Sequence, residues 1–594
     1  MVSLPIATTT TLHCSNSSPS SSFVQRTPHV SINRKSPSRL HVSCNARKDD
    51  NQSSSSNSSL GKFDRRNVLI GLGGLYGAAS LANPFAFAAP VNPDFYKCGP
   101  ADLPEGAEAV NCCPPTAPKI IDFELPPPPA TMRVRPAAHL ADNKAYMEKF
   151  TRAIDLMKAL PADDPRNFMQ QANIHCAYCD GAYDQLGFPD LELQVHFSWL
   201  FMPFHRCYLY FFERILGKLI DDPTFAIPFW NWDNPAGMQI PAIYTDRNSP
   251  LYDPLRDAKH QPPNIIDLDY NGTDSNVSNE QQFSQNLTIM YRQTVSLGRT
   301  ASTFHGSPYR AGDGPYPGLG SLEDIPHNTV HIWTGDRTQP NVENMGSFYS
   351  AARDPLFYGH HSNVDRIWSI WKTIGGRRQD FTDRDWLEAS FLFYDENAQL
   401  VRIKVRDCLD SRNLGYVYQD VATPWLNSRP TPRHSRILSK AKKLVEAKAA
   451  DAAPAPEDVF PATLEKAVRV MVRRPNRKRS KKQKEEIEEI LVIEGIELDR
   501  DVFAKFDVLI NDEHDEAKVT AQNTEFAGSF VNVPHRRHHK QEKKMKMKTK
   551  LRLAITEVLE DLDCEDDEHL LVTLVPRRGS GAMKIGGVKI VLED

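Results

Sequence analysis

Along AYMEKFTRAIDLMKAL, residues 145–160, apolar side chains recur at three- and four-residue spacing and stop at Pro161, which predicts an amphipathic helix. Asp163-Asp164-Pro165 then offers an N-cap and a first-turn proline for a second helix running toward His175. A third apolar stretch, HFSWLFMPFHRCYLYFFERILGKLI, is interrupted by Pro203, which predicts a break or kink. His196 and His205 are nine residues apart, and nine steps of about 100° leave a half-turn, so one straight helix would turn them to opposite faces. His196 is therefore expected on a loop and His205 in the helix after Pro203.

Residues 234–325 are rich in Pro, Gly, Asn and Asp and read as long surface loops, with sequons at Asn271, Asn276 and Asn286 that matter only in a secreted chain. Around 440–485 the composition shifts to Ala, Pro, Lys and Arg, the mark of an exposed, protease-sensitive linker, and its run RRPNRKRSKK reads as solvated rather than as a nucleic-acid contact. Beyond it EEILVIEGIELDRDVFAKFDVLIN, TEFAGSFVNV, KTKLRLAITEVL, HLLVTLV and GVKIVLED are short β-branched runs separated by turns and charges, which predict an all-β sandwich domain. The basic stretch HRRHHKQEKKMKMKTK between two of these runs reads as a surface loop.

The chain has 594 residues, 40% of them hydrophobic, enough for a large core and roughly two to four domains. With 71 basic and 75 acidic residues the net charge is -4, so no global field points to nucleic acid or acidic lipid, and a small-molecule substrate fits better.

Residues 1–60 are rich in Ser and Thr, carry Arg26, Arg34, Arg39 and Arg47, and have no acidic residue before Asp49, the composition of a chloroplast transit peptide. Over residues 61–88, Arg65-Arg66, VLIGLGGLYGAASLA and Ala86-Phe87-Ala88 resemble a twin-arginine transfer signal with a small-residue cleavage site. The apolar run is too short and too Gly-rich for stable membrane insertion. The mature chain is expected to start near Ala89, in the thylakoid lumen. Of the cysteines that remain, Cys112 and Cys113 are adjacent and so are expected to bridge to two separate partners, with Cys98 and Cys176 the leading candidates. Such bridges would staple the Pro-rich arm to the first histidine helix and imply an oxidising compartment.

His327 and His331 are four apart and share one helix face, so they can bind one metal. Position 328 is Asn, which excludes the HExxH zinc-protease pattern. His361 lies in DPLFYGHHSNVDRIW with Asp365 one helical turn later as a candidate partner for the ring, while His360 is expected to project away. With His175, His196 and His205 these residues make six histidines in two groups of three, with no carboxylate or thiolate among them. That donor set suits a pair of copper ions handling oxygen.

HCAYC at 175–179, HFSWLFMPFHRCYLYFFER at 196–214, HNTVH at 327–331 and DPLFYGHHSNVDRIW resemble the two copper-binding regions of plant polyphenol oxidases, the catechol oxidase and tyrosinase group. Asp385-Trp386-Leu387, Tyr416-Val417-Tyr418 and Lys505-Phe506-Asp507-Val508 match further motifs of that family in the same order. The resemblance implies a mainly α-helical bundle around a dicopper site at 89–425, a linker at 426–484 with an activation cleavage, and an all-β C-terminal sandwich at 485–594 that covers the copper entrance. His175, His196 and His205 would hold one copper and His327, His331 and His361 the other. Cys179 and His196 match a thioether pair, Phe348 a bulky residue over the second copper, and Glu323 with Asn328 a pair that orders a water.

The implied activity is oxidation of o-diphenols to o-quinones with O2 reduced to water. Hydroxylation of monophenols would use a water held by Glu323 and Asn328 as base. Expected partners are small phenols, O2 and an activating protease. A specialised oxidase acting on one phenolic compound is the competing reading, and an oxygen carrier a more distant one. Cys207 stands where an aromatic residue is expected and reads as a small buried side chain.

Overall fold

A computed structural model describes residues 89–141, 143–432, 453–476, 478–512, 518–535 and 546–594; residues 1–88, read above as targeting segments, linker residues 433–452 and most of the basic stretch, 536–545, lie outside them. Helix α1 spans Lys144–Ala159; Asn143 caps it by accepting the Tyr146 N–H, and Phe150, Ala153, Ile154 and Met157 form its buried stripe. Helix α2, Phe168–Cys179, is capped by Asn167, not by the Asp163-Asp164 pair. The Asp164 carboxylate is held instead by the Arg166 guanidinium, at 2.7 Å and 3.0 Å.

Helix α3 runs from Phe201 to Leu219 with Pro203 in its first turn. A proline there gives up no intrahelical hydrogen bond, so it starts the helix instead of breaking it. His205 is thereby helical and His196 lies in the preceding loop.

The stretch read as loops contains helix α4, Asn279–Tyr291, opened by a capping box of Ser278 and Gln281. Asn286 on it is fully buried, donates to the Ile266 carbonyl and accepts the Leu268 N–H, so its sequon is closed to a glycan. Helices α5, Asn328–Thr334, and α6, Leu356–Trp371, carry the second histidine group. Short strands clasp the domain: β1 (Ile121–Asp122) and β2 (Arg133–Arg135) come from the N-terminal arm, β3 (Ser390–Tyr394) and β4 (Leu400–Lys404) form a hairpin, and β5 is Tyr416–Tyr418. β1 lies parallel to β4 and β2 parallel to β5. Beneath this clasp Asp365 accepts from Arg206, Arg135, Tyr416 and Tyr418, all buried or nearly so.

The C-terminal domain is two antiparallel sheets. Its strands are β6 (Ala462–Thr463), β7 (Val468–Arg473), β8 (Glu488–Leu498), β9 (Ala504–Ile510), β10 (Phe526–Asn532), β11 (Met547–Ala554), β12 (His569–Arg578), β13 (Lys584–Ile585) and β14 (Gly587–Glu593). One sheet has the order β10-β9-β12-β7; in the other β8 pairs β11, β13 and β14, and β6 joins at β13. β7 belongs to the domain although it lies in the region read as linker, so the boundary at 485 is too late. The basic run there is solvated at Arg473, Lys478, Lys481 and Lys482, as read, but not throughout. Arg474 and Arg479 are buried and converge on the Glu489 carboxylate at 2.7–3.1 Å, a partner that composition alone cannot reveal.

The two domains meet through polar ties. Lys505 donates to Asp269 at 2.6 Å, Arg292 to the Ala521 carbonyl at 2.7 Å, Tyr291 to Glu557 at 2.9 Å, and Arg299 pairs with Glu488 at 3.0 Å. Among the described residues no helix is long and apolar enough to cross a membrane.

Removing the Glu489 carboxylate leaves two buried guanidinium groups uncompensated. Glu489→Ala is expected to destabilise the C-terminal domain by about 3–5 kcal/mol, read as a lowered unfolding midpoint in denaturant.

Candidate metal centre

The two histidine groups are assembled from five segments. His175 sits on α2 one turn before Cys179, His205 on α3, His331 on α5 and His361 on α6, while His327 ends the turn leading into α5. His196 comes from the loop between α2 and α3. All six are buried, at most 2% exposed. The candidate ligand nitrogens within each group lie within 4.8 Å of one another. The groups adjoin: the His205 and His361 rings stack at 4.1 Å, and His196 faces His327 at 5.9 Å.

Backbone carbonyls set the tautomers. A carbonyl can only accept, so the Nδ1–H of His175 donates to Phe348 at 2.7 Å, that of His205 to Phe201 at 2.9 Å, that of His331 to Met345 at 2.7 Å and that of His327 to Glu323 at 3.1 Å. Each Nε2 then carries a free lone pair. His175 and His205 leave this nitrogen buried with no protein partner. In the second group His331 Nε2 lies 3.1 Å from His327 Nε2 and 3.3 Å from His361 Nε2. Two imidazole nitrogens each about 2.0 Å from one ion sit roughly 3.3 Å apart, so these atoms fit a shared metal. Burial drives every ring below its ordinary range, to about 3 for His175 and about 4 for His331, which keeps the imidazoles neutral.

Several expectations need correction. His360 does not project away; its ring lies 5.3 Å from that of His327 and 4.9 Å from that of His331. Trp232 Nε1–H donates to its Nδ1 at 3.1 Å, which occupies that lone pair and leaves the proton on Nε2. Neither nitrogen of His360 is then free to ligate, which favours His361. Asp365 does not orient His361, being committed to the arginine and tyrosine cluster beneath the clasp. The Phe348 ring contacts belong to the first group, with His196 at 4.2 Å and His175 at 5.8 Å, and not to the second.

Glu323 accepts the Phe197 N–H on Oε1 at 2.6 Å, and its other oxygen is buried without a partner; burial holds this carboxyl well above the usual range. Asn328 takes the His327 Nδ1–H on its side-chain oxygen at 3.0 Å and donates to the Val531 carbonyl of the C-terminal domain at 3.1 Å. Cys179 is a buried free thiol. The three cysteines of the arm and Cys176 of α2 form two bridges, Cys98–Cys113 and Cys112–Cys176, the second fastening the arm to α2 beside His175.

Sequence reasoning missed the residues that close the site. His535, fully buried, stacks on Phe348 at 5.0 Å, and the Pro534 carbonyl accepts from Ser347 Oγ at 3.3 Å and from the Phe348 N–H at 3.4 Å. His535 opens the stretch read as a surface loop, and nothing local distinguishes it from the basic residues that follow. Gln194 was missed as well; its amide bridges His196 and Cys179.

Two adjoining triads of neutral imidazoles inside a helical domain, with a β domain over them, define the type 3 copper class. Residues 165–374 match the common central domain of tyrosinase, 380–431 the polyphenol oxidase middle domain, and 460–592 the chloroplastic polyphenol oxidase C-terminal domain. The chain is 60% identical over 600 residues to a chloroplastic polyphenol oxidase of Malus domestica, covering 99% of each. It is 59% identical over 507 residues to aureusidin synthase of Antirrhinum majus, covering 84% of this chain and 88% of that one. The solved structure of latent apple tyrosinase superposes with a TM-score of 0.74 at 60% identity, over 80% of this chain and 100% of that one. The chain belongs to the plant polyphenol oxidase family, whose cofactor is a pair of copper ions.

In the copper-free protein the buried rings refuse protons that unfolded histidines accept below about pH 6.5. The unfolded state then binds more protons, so this contribution to stability is complete above that pH and is lost as pH falls toward the folded values. The thermal midpoint of the copper-free chain is expected to drop steadily from about pH 7 to 5, and to drop less in His175→Asn.

Proposed function

We propose that this chain oxidises o-diphenols to o-quinones, consuming one dioxygen for two diphenols and releasing two waters. The observation that carries the reading is the pair of buried imidazole triads with their Nε2 lone pairs turned inward. His175, His196 and His205 would hold one copper and His327, His331 and His361 the other, and the pair would supply the redox couple between phenol and dioxygen. The protein's part is to bind, orient and exclude water. Phe348 would present an apolar ring to the bound phenol, and the backbone acceptors keep the ligand rings from turning. The unpartnered Glu323 oxygen and the Asn328 amide would hold a water able to take a phenolic proton, which would permit hydroxylation of monophenols. Cys179 would be joined to His196 as a thioether.

In the described state Asn328 is engaged by Val531, and His535 covers Phe348. This supports a latent enzyme in which the segment Val531–His535 shields the copper entrance until a protease cuts the connection between the domains. Both flanks of residues 433–452 are tied into folded structure, Thr431 to Asn523 and Pro454 to Met471, which supports a cut between them. The relatives' names place them in chloroplasts. The arginine pair before the apolar run and the two disulfides support the thylakoid lumen for this chain. A specialised oxidase of one phenolic compound is the second reading, favoured by the likeness to aureusidin synthase.

Oxygen uptake with a catechol is expected to vanish on chelation and to return on restoring two copper ions per chain. Catechol turnover that survives complete copper removal would overturn the assignment. A panel of mono- and diphenols on the trimmed enzyme separates the two readings, since a specialised oxidase turns over one compound far faster than simple catechols.

His535→Ala in the uncut chain is expected to raise the catechol rate about 3- to 10-fold, the equivalent of one lost aromatic contact, and to leave the trimmed enzyme unchanged.

A further inference from the structure

Gln194 is 1% exposed and lies two residues before His196. Its side-chain oxygen accepts the His196 N–H at 2.9 Å, and its side-chain amide donates to the Cys179 carbonyl at 2.8 Å. One side chain therefore ties the loop that carries His196 to the last residue of α2. The next N–H, that of Phe197, is held by Glu323, and Phe197 is in the left-handed region at φ 59°. This loop is thus fastened at consecutive backbone positions by buried side chains in a conformation it would not adopt alone.

The His196 ring needs such help more than its neighbours do. Neither of its nitrogens has a hydrogen-bond partner, whereas His175, His205, His327 and His331 are each pinned through Nδ1 to a carbonyl. Apart from stacking on Phe348, its placement depends on the loop backbone.

We propose that Gln194 is the positioning residue for the Cys179–His196 thioether: it holds the His196 loop against the end of α2 so that ring and thiol meet in bonding geometry. The inference rests on the thioether named under the proposed function. Formation of that bond breaks the Cys179 S–H and a ring C–H of His196 and makes one C–S bond. The two electrons and two protons released pass to dioxygen, which leaves as hydrogen peroxide. Gln194 exchanges no proton; its contribution is orientation, where small misplacements slow bond formation steeply.

The bond can be followed without an activity assay. Arg166 and Arg206 flank a tryptic peptide, 167–206, that contains both Cys179 and His196. After reduction and alkylation, the cross-linked peptide lacks two hydrogens and Cys179 escapes the alkylating reagent. Copper-free full-length chain is loaded with copper in air and sampled over time. Gln194→Ala is expected to cross-link roughly 10- to 100-fold more slowly at full copper uptake and with both disulfides intact. Gln194→Glu, which keeps the acceptor for His196 and loses the donor to Cys179, should fall between. It carries the same test if the alanine variant does not retain its disulfides. Cross-linking at the wild-type rate in copper-loaded Gln194→Ala would overturn the proposal, as would loss of copper uptake in step with cross-linking, which marks a general structural role. Absence of the cross-link from copper-loaded wild type would instead refute the thioether itself, leaving the copper-dependent oxidase reading untouched.

Discussion

Six imidazoles held neutral, desolvated and turned toward each other are the constraint from which the rest of this architecture follows. A buried polar atom without a partner costs about 1–3 kcal/mol, and the triads hold several such nitrogens in the absence of metal. The fold offsets this by committing the opposite ring nitrogens to backbone carbonyls of Phe348, Phe201, Glu323 and Met345, which makes one tautomer the only satisfied one. The Phe201 and Glu323 carbonyls belong to the turn just before their own histidine, and those of Met345 and Phe348 come from one further segment. They must themselves be rigid, and the disulfide at Cys176, the clasp of β2 with β5 and the Asp365 cluster fix the helices that carry the rings.

The same residues that shape the site also receive the C-terminal domain. Asn328 touches the His327 ring on one side and Val531 on the other, while Phe348 stands between His196 and His535. Asp324, three residues before His327, accepts the Val531 N–H at 2.8 Å. The covering strand is therefore held by side chains that flank a ligand rather than by a separate docking patch. Around that point the apolar cores of the two domains are continuous, and ion pairs and hydrogen bonds, Lys505 with Asp269 and Arg292 with the Ala521 carbonyl among them, add polar ties. Polar ties of this kind give register and specificity more than raw affinity.

Much of the fold was legible along the chain. The 145–160 periodicity found α1, the half-turn between His196 and His205 separated loop from helix, and the β-branched runs found the C-terminal strands. Failures trace to partners that composition and helical spacing do not disclose. Asp164 was spent on Arg166, so Asn167 became the cap; Arg474 and Arg479 found Glu489, so two arginines of an otherwise exposed basic run became buried; Trp232 captured His360, which lies within the cluster. Ser278 and Gln281 did carry a local signal, a capping box, that the surrounding Pro, Gly and Asn obscured.

What the sequence determined by itself was the chemistry on offer: which histidines are spaced for a shared metal, that no carboxylate competes with them, and that adjacent Cys112 and Cys113 must take separate partners. Ligand identity is a property of side-chain type and short-range spacing, both of which are local. Only the tertiary structure decided which ring nitrogen faces inward, which of His360 and His361 keeps a free lone pair, and which residue covers Phe348. Except at His205 and His327, whose Nδ1 meets the carbonyl four residues earlier, those outcomes depend on where a carbonyl, an indole N–H or a strand end from another part of the chain comes to rest, and no local pattern encodes that position.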